Sequence, residues 1–257
     1  MTGYSPEFFQ NHSQGSYQSA KAILPIIFGL ISPKSVVDVG CGNAPWLLAA
    51  QELGATDILG VDGEAHDPGV LMIAPQHFMQ RDLTQPFGVG RNFDLAICVE
   101  VAEHLPESAS EVLVNSLTEL SKVILFSAAI PDQGGLHHVN EQWPPYWERL
   151  FTNHGFELVD CIRWRVWDRP EVDVWYAQNC LLYVQRDYLA DHARLSEEHS
   201  RWKNLPRSVV HPRSFADAKN YAALTPRPLL RLLRPALKRT LLRRLSFLHS
   251  PALKPCK

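Results

Sequence analysis

Cysteines are few in this 257-residue sequence, and no two of them stand at metal-binding spacing. The five cysteines form neither a C-x-x-C pair nor an even disulfide framework; they are Cys41, Cys98, Cys161, Cys180 and Cys256. This pattern argues against a zinc ribbon and against a disulfide-stapled secreted domain. A reducing compartment suits such a chain, so we expect a cytoplasmic protein.

Long hydrophobic runs are also missing. The longest apolar stretch near the N-terminus, residues 23–31, contains Pro25 and Gly29 and is far shorter than the roughly 20 residues of a membrane span. The first residues, M-T-G-Y-S-P-E-F-F, lack the basic-then-apolar order of a secretory signal. We therefore predict no transmembrane helix.

Acidic residues are absent from residues 225–257, which contain nine Lys or Arg and leave 16 basic and 27 acidic residues to the rest of the chain. In a helix beginning at Pro235, four leucines would share one face: Leu237, Leu241, Leu245 and Leu248. Arg244 lies close to that face, so the amphipathic pattern is imperfect. Peripheral contact of residues 225–257 with an anionic membrane is one hypothesis. A mobile or core-docked basic tail is the other.

Apolar strand-like runs alternate with helix-like segments from residue 16 to about residue 155. Strands are predicted at 35–40, 57–62, 77–82, 93–99 and 122–128, with helices at 46–53 and 107–120. Consecutive apolar positions indicate strands buried on both faces, and helical crossovers between them indicate a mainly parallel sheet. Two more runs, 156–164 and 179–186, have no helix pattern between them and are predicted to pair antiparallel at the sheet edge. The chain therefore predicts a doubly wound α/β fold.

A third glycine is missing from the loop after the first strand, which reads D-V-G-C-G-N-A-P-W. Gly40 and Gly42 allow a tight turn and a close approach of the backbone to a ligand in front of a helix N-terminus. A dinucleotide fingerprint would have another glycine where Pro45 stands. This difference argues against a pyrophosphate ligand.

Carboxylates follow the next strands in order. Asp62 ends the second strand, where it could accept hydrogen bonds from ribose hydroxyls, and Asp82 ends the third, where it could receive an adenine amino group. The fourth strand ends in V-E-V-A-E-H. Successive acids at strand ends suit a cationic adenosine ligand better than a diphosphate.

These motifs, D-V-G-C-G, G-V-D-G, R-D-L and F-D-L-A-I-C-V-E-V-A-E-H-L, resemble class I S-adenosylmethionine-dependent methyltransferases over residues 35–186. The resemblance implies a Rossmann-like sheet of order 3-2-1-4-5-7-6 with the last strand antiparallel. It implies S-adenosyl-L-methionine as cofactor, with Asp38 near the methionine amino group. The other residues implied at the cofactor are Gly40, Cys41, Gly42, Asp62, Asp82, Leu83, Val99 and Glu100.

A second group of polar residues follows the fourth strand. Glu100, Glu103 and His104 stand at i, i+3 and i+4, so a helix there would place them on one face. The loop after the fifth strand carries His137 and His138. Two carboxylates and imidazoles suit Mg²⁺ or Mn²⁺, which would activate an acceptor hydroxyl. The alternatives are a metal-free histidine base and a purely structural role, with Glu103 at a helix N-terminus.

The E-x-x-E-H pattern with a later histidine resembles metal-dependent O-methyltransferases of ubiquinone synthesis and of small-RNA 2′-O-methylation. The resemblance implies Glu100, Glu103, His104 and one histidine of the loop, for which we choose His138, as metal ligands. We predict catalytic roles for Glu103, His104, His137 and His138, since His104 or either histidine of the loop could act as a general base. The flanking loop differs from that of the RNA enzymes, so no nucleic acid is expected as a partner.

Aromatic residues are concentrated in R-V-W-D-R-P-E-V-D-V-W-Y-A-Q-N, residues 165–179. As a loop between edge strands, this segment could cover a sugar or another flat acceptor. The whole stretch from H-V-N-E-Q-W-P-P-Y-W to W-Y-A-Q-N, residues 138–179, resembles a bacterial methyltransferase subgroup associated with surface-polysaccharide genes, which favours a glycan acceptor. Packing in the core or at the sheet edge is the alternative for these side chains.

The sequence thus predicts a helical cap at residues 1–34, a methyltransferase domain at 35–186, and a helical then basic segment at 187–257. The predicted activity is O-methylation of a hydroxyl on a glycan or small molecule. Two alternatives stay open: a nucleotide-cofactor oxidoreductase, and a catalytically silent cofactor-binding or scaffold protein.

Overall fold

The computed structural model describes residues 6–65 and 69–218. The chain divides into two compact units, Met1–Ser214 and Phe215–Lys257. The basic helix predicted from Pro235 lies outside the described residues. Within the described ranges, every helix is too short or too polar to span a bilayer.

Seven strands form one sheet in the order β3-β2-β1-β4-β5-β7-β6. The strands are β1 (Ser35–Val39), β2 (Asp57–Asp62), β3 (Phe78–Gln80), β4 (Leu95–Val99), β5 (Val123–Ser127), β6 (Phe156–Val159) and β7 (Leu181–Gln185). Strands β1 to β5 pair in parallel, and β7 runs antiparallel to both β5 and β6. The predicted sheet order and the reversed last strand are confirmed.

The core lies on both faces of this sheet because neighbouring residues of each strand point to opposite sides. Val36 packs into one hydrophobic layer and Val37 into the other. Ile97 and Cys98 of β4 divide in the same way. Every residue of β4 and β5 is buried, which explains the uninterrupted apolar runs in the sequence.

Helices cover both faces. They are α1 (Pro6–Ile31), α2 (Pro45–Glu52), α3 (Ser110–Leu120), α4 (Pro144–Asn153), α5 (Arg163–Val166), α6 (Val174–Asn179), α7 (Arg186–Asp191), α8 (Ala193–Trp202) and α9 (Pro212–Ala218). Short 3₁₀ turns occur at Pro75–His77, Ala102–His104 and Glu107–Ala109. Residues of α1 and α2 contribute to one core layer, and residues of α3 and α4 to the other.

The stretch after β4 differs from the predicted single helical face. Glu100 has a left-handed backbone with φ +54°, and only a 3₁₀ turn follows before Leu105 becomes extended. Leu105 precedes Pro106, and a residue before proline is disfavoured in the helical region. Helix α3 therefore starts at Ser110, and Glu100 does not share a helix face with Glu103 and His104.

The segment between the two edge strands also differs from its prediction. Strand β6 ends at Val159, and residues 165–179 contain parts of two helices, α5 and α6, where a covering loop was expected. The buried Asp160 carboxylate accepts hydrogen bonds from Arg163 Nε at 2.9 Å and Trp164 Nε1 at 3.2 Å. Partners at i+3 and i+4 favour a helical turn over a continued strand.

Candidate active site

A cavity of about 780 Å³ opens at the carboxyl ends of β1, β2 and β4, where ligands of open parallel sheets bind. All thirteen residues predicted for the site line it, although they come from five separate stretches of chain. They are Asp38, Gly40, Cys41, Gly42, Asp62, Asp82, Leu83, Val99, Glu100, Glu103, His104, His137 and His138. The structure thus brings the whole predicted set together at one place.

The turn after β1 is held by main-chain hydrogen bonds. The amides of Gly40 and Cys41 donate to the carbonyl of Val61 at 2.7 and 3.2 Å. Gly40 has φ +79°, and a Cβ there would lie 2.3 Å from Cγ2 of Val101, so only glycine fits. Pro45 is the first residue of α2, a position that proline favours, so the loop closes without a third glycine.

Asp62 ties this turn to the end of β2. Its carboxylate accepts the amide of Gly42 at 2.8 Å and that of Glu64 at 3.0 Å. Further along the rim, Asp82 accepts the amide and hydroxyl of Thr84 at 2.9 and 2.6 Å. Hydrogen bonds from Thr84 hold the pKa of Asp82 below its usual value. Both carboxylates are therefore fixed before any ligand binds.

Asp38, unlike Asp62 and Asp82, has a buried carboxylate oxygen that accepts no hydrogen bond from the described residues. Its side chain is 2% exposed, and the oxygen concerned is Oδ2. Burial, and then the charge of Asp62, raise the pKa of Asp38 well above the usual aspartate value. An unpartnered carboxylate oxygen in a buried site is stabilised by a cationic or hydrogen-bond-donating ligand.

Glu100 is fixed by side chains from distant parts of the chain. Its carboxylate accepts Gln133 Nε2 at 3.1 Å and Asn179 Nδ2 at 3.2 Å. Burial raises the pKa of Glu100, and hydrogen bonds with Ser127, Asn179 and Gln133 only partly offset that rise. Its backbone amide donates to both Oγ and O of Ser127 at 3.0 Å.

An amide network behind Glu100 was not predicted from the sequence. Gln178 Nε2 donates to Gln133 Oε1 at 3.2 Å and to Asn179 Oδ1 at 3.0 Å. Gln178 Oε1 accepts the amide of His211 at 2.8 Å. The last two residues of α6 therefore connect the segment around residue 211 to the end of β4. No motif near these residues in the sequence indicates this connection.

Glu103, His104 and His138 form a compact cluster whose potential ligand atoms all lie within 4.8 Å of one another. Glu103 is fully buried, and neither of its carboxylate oxygens has a hydrogen-bond partner among the described residues. The His104 and His138 rings meet edge to face with centroids 4.9 Å apart. Glu100, predicted as a fourth member, is not part of this cluster. His137 lines the cavity with a left-handed backbone of φ +62°.

The charges around this cluster perturb its titration. Burial, and then the charge of Glu100, raise the pKa of Glu103 well above the usual glutamate value. Partial burial, and then the His138 imidazole, lower the pKa of His104. The carboxyl group is therefore hard to ionise, and the neighbouring imidazole is hard to protonate. Such perturbed pairs are typical of functional sites.

Helices α1 and α6 close the cavity on the remaining side. Ser13 and Ser16 of α1 line it together with Trp175 and Tyr176 of α6. The hydroxyls of Ser16 and Tyr176 lie 2.9 Å apart, and Asn43 Nδ2 donates to Ser13 Oγ at 2.6 Å. The two serines were not predicted as site residues, since they lie far from the motifs in sequence.

The cavity lining is rich in acids and has no Lys or Arg among the described residues. Six carboxylic acids line it: Asp38, Asp62, Glu64, Asp82, Glu100 and Glu103. Its basic groups are the three imidazoles of His104, His137 and His138. This composition favours cationic or uncharged ligands over phosphorylated ones.

A family model described as a methyltransferase domain matches residues 11–156, more than half of the chain. The matched region holds every strand from β1 to β5 and all thirteen predicted site residues. Its description agrees with the predicted methyltransferase and not with the alternative of a nucleotide-cofactor oxidoreductase.

Two relatives are also methyltransferases by name. The ribosomal RNA large subunit methyltransferase E of Caulobacter sp. (strain K31) is 45% identical over 51 residues, which are 20% of this chain and 21% of that protein. The ribosomal protein L11 methyltransferase of Laribacter hongkongensis (strain HLHK9) is 26% identical over 129 residues, which are 46% of this chain and 42% of that protein. The matches span less than half the length of either relative.

Among solved structures, the Streptomyces venezuelae protein DesVI superposes with a TM-score of 0.54. The superposition covers 72% of this chain and 100% of DesVI, at 13% sequence identity. At that identity the likeness concerns the fold alone, and it agrees with the predicted Rossmann-like architecture.

Proposed function

Since this chain belongs to the methyltransferase-domain family, that of the class I S-adenosylmethionine-dependent methyltransferases, we propose that it methylates a hydroxyl oxygen of a glycan or small molecule. The observation that carries this proposal is the buried, unpartnered Glu103 carboxylate beside two imidazoles. A hydroxyl acceptor must lose a proton during methyl transfer. This cluster supplies groups that can accept the proton or stabilise the negative charge on the acceptor oxygen.

In this proposal the first half of the cavity holds S-adenosyl-L-methionine. Asp62 would bind the ribose hydroxyls, while Asp82 and Leu83 would contact the adenine. Asp38 would face the methionine ammonium through water, in keeping with its unpartnered Oδ2. The methionine portion would lie against the remaining predicted residues: Gly40, Cys41, Gly42, Val99 and Glu100. When bound, the cofactor supplies the electrophilic methyl group.

The second half would hold a divalent metal. Glu103, His104 and His138 fit a cation because their ligand atoms converge and both Glu103 oxygens lack partners in the part of the chain that the structure describes. One carboxylate with two imidazoles suits Mn²⁺ better than Mg²⁺, which prefers oxygen ligands. When bound, the cation would lower the pKa of the acceptor hydroxyl. Glu100 is the least suited of the predicted ligands, since both its oxygens already accept amide hydrogens.

A metal-free alternative uses His104 as the general base. The lowered pKa of His104 keeps its imidazole neutral near neutral pH, so it could accept the hydroxyl proton directly. The effect of a chelator on methyl transfer distinguishes the two mechanisms.

We propose an acceptor without phosphate groups, because no Lys or Arg lines the described cavity. The same composition supports the expectation that nucleic acid is not the substrate. The rings of Trp175 and Tyr176 line the cavity and could contact the apolar face of a sugar. A glycan hydroxyl is therefore the preferred acceptor.

The proposal is tested by incubating an extract of the source cells with isotopically labelled cofactor and locating the label by mass spectrometry. An O-methylated, phosphate-free product is expected. Label on nitrogen or carbon would contradict O-methylation, and S-adenosylhomocysteine binding without any labelled product would favour the silent cofactor-binding alternative. Tight binding of NAD(P)H in place of S-adenosylhomocysteine would restore the oxidoreductase alternative.

We propose separate roles for the two terminal segments. Residues 1–34 would act as a cap on the catalytic domain at 35–186, and residues 187–257 as an appended segment of a cytoplasmic protein. Its basic end, residues 225–257, would contact an anionic membrane surface. Flotation with anionic liposomes, compared between the full chain and a chain ending at residue 224, tests this contact; equal binding would contradict it.

A further inference from the structure

The loop between β5 and α4 is organised around one carboxylate, that of Glu141. Glu141 Oε2 accepts the amide of Asp132 at 2.9 Å, and Oε1 accepts the amide of Gly134 at 2.9 Å. Asp132 and Gly134 have left-handed backbones with φ +68° and +74°. The carboxylate thus anchors a turn that would otherwise be held only weakly.

The same carboxylate contacts an imidazole of the cluster. His138 Nδ1 lies 2.9 Å from Glu141 Oε1, and both side chains are largely buried, at 13% and 20% exposed. An ionised carboxylate only accepts hydrogen bonds, and this one already accepts two amides. His138 must therefore carry its proton on Nδ1, which leaves the lone pair of neutral His138 on Nε2.

The His138 ring packs closely against a glycine of the same loop. A Cβ at Gly135 would lie 2.2 Å from Nε2 and 2.4 Å from Cε1 of His138. A side chain at position 135 would therefore collide with the face of the His138 ring, and only glycine lets the imidazole keep this position. Gly135 and His138 both line the cavity, so this contact lies at the site.

The loop is also tied to the other acidic member of the cluster. The amides of Val139 and Asn140 donate to the Glu103 carbonyl at 2.8 and 3.1 Å. The position of His138 is thereby fixed relative to Glu103 by main-chain hydrogen bonds and by the Glu141 carboxylate together. A change at Glu141 would act on the imidazole without touching a bound acceptor.

We infer that Glu141 is a positioning residue that fixes His138 in its Nδ1–H tautomer and directs the Nε2 lone pair into the cavity. The inference rests on the proposed function, in which Nε2 of His138 acts at the reacting hydroxyl as a metal ligand. Outer carboxylates that orient a ligating imidazole in this way raise metal affinity.

A second carboxylate–imidazole pair on the protein surface provides a matched control. Glu111 Oε1 lies 2.9 Å from His154 Nε2, the same distance as in the Glu141–His138 pair, and neither residue lines the cavity. Glu111→Gln therefore makes the same chemical change away from the cluster.

The test records ¹⁵N imidazole spectra of the full chain at about pH 8, where an ordinary imidazole is neutral, with His138 assigned through His138→Gln. The Nδ1–H tautomer is expected for His138. Glu141→Gln can donate an amide hydrogen to Nδ1, so its His138 should change to the Nε2–H tautomer, while Glu111→Gln should leave the spectrum of His138 unchanged. An Nε2–H tautomer in the unsubstituted protein would overturn the inference, even if Glu141→Gln fails to fold.

Calorimetric titration with Mn²⁺ adds a second readout. Glu141→Gln should weaken Mn²⁺ binding roughly 10- to 100-fold, with S-adenosylhomocysteine affinity retained as the check on folding. Unchanged Mn²⁺ affinity would contradict the inference. If the unsubstituted protein binds no Mn²⁺ but shows the expected tautomers, the metal in the proposed function is wrong and the positioning role of Glu141 stands.

Discussion

The two halves of the cavity are built in different ways. The cofactor half consists of turns that directly follow β1 and β2, and its polar groups bond to one another, as Asp62 does to the Gly42 amide. The acceptor half combines the turn after β4 with the long loop after β5, as in the bonds from the amides of Val139 and Asn140 to the Glu103 carbonyl. Residues adjacent to a strand end need little support, whereas a cluster assembled from distant segments needs a surrounding network to hold it.

The halves also differ in how far their carboxylates are satisfied. In the cofactor half, Asp62 and Asp82 already accept hydrogen bonds from nearby main-chain amides, and one oxygen of Asp38 lacks a partner within the described ranges. In the acceptor half, neither oxygen of the buried Glu103 has a partner among the described residues. A buried group without a partner costs free energy of folding and is retained where function uses it. Substitutions in the two halves should therefore have separable effects on cofactor binding and on methyl transfer.

The largest expected effect is in the acceptor half. Glu103→Gln should lower the rate of methyl transfer by roughly 100-fold or more, because it removes a proton acceptor or metal ligand next to the acceptor. S-adenosylhomocysteine affinity should stay unchanged. The rate is measured on the acceptor recovered from the labelled extract. Glu107→Gln, an exposed change four residues away, is the control. Equal rates for the two variants would contradict a separate acceptor half.

The next effect belongs to the cofactor half. Asp62→Asn should weaken S-adenosylhomocysteine binding by roughly 10- to 100-fold, since it removes the charged acceptor of two amides that, in the proposed function, also binds the ribose hydroxyls. Calorimetric titration measures this affinity. Asp57→Asn, at the other end of the same strand in a surface pair with Arg91, should leave the affinity unaltered. Undiminished affinity in Asp62→Asn would argue against the assigned ribose position.

A smaller effect concerns pH. The pKa of Asp38 is raised in the folded protein, so above the unfolded value near about 4 the native state binds more protons than the unfolded state. The free energy of unfolding of the cofactor-free protein should therefore fall as pH rises toward the native pKa, by up to about 1.4 kcal/mol per pH unit. Denaturant unfolding of Asp38→Asn should show a shallower fall.

Asp82 should behave in the opposite way. Its pKa is lowered, so the stability it contributes is present above the unfolded pKa and is lost as the solution is acidified through the native pKa. Asp82→Asn should therefore lower the free energy of unfolding above the unfolded pKa and make its loss on acidification smaller. Identical profiles for Asp38→Asn and Asp82→Asn would contradict the assigned environments of the two carboxyls.

The smallest effect is at the contact between α1 and α6. Tyr176→Phe removes the hydroxyl that bonds to Ser16 Oγ at 2.9 Å and should lower the free energy of unfolding by about 1 kcal/mol. A double-mutant cycle with Ser16→Ala isolates the pair. Additive changes would show that the two hydroxyls do not support one another.

The fold and the cofactor half could be predicted from sequence because their information is local. Apolar runs gave the strands, right-handed crossovers limited their order, and Asp62 follows Gly42 at the spacing that joins two strand ends. For the acceptor half, the sequence indicated which residues take part but not how they are arranged. The i, i+3, i+4 spacing of Glu100, Glu103 and His104 suggested a helix face, which the left-handed Glu100 backbone does not form.

One signal in the sequence could have corrected that prediction. Pro106 disfavours a helical Leu105 and so separates the E-x-x-E-H residues from α3. No comparable signal marks the partners of Glu100, because Gln133 and Asn179 lie 33 and 79 residues away along the chain. Such contacts depend on tertiary packing, which spacing along the chain does not encode.

The central claim is that the cluster of Glu103, His104 and His138 activates the acceptor with a divalent metal beside a separately bound cofactor. It is tested most directly by measuring label transfer from S-adenosyl-L-methionine after chelator treatment and after return of Mn²⁺. The account predicts transfer that is lost with chelator, restored by Mn²⁺, and low throughout in Glu103→Gln despite normal S-adenosylhomocysteine binding. Transfer that persists in chelator, or a Glu103→Gln variant as fast as the unsubstituted protein, would contradict it.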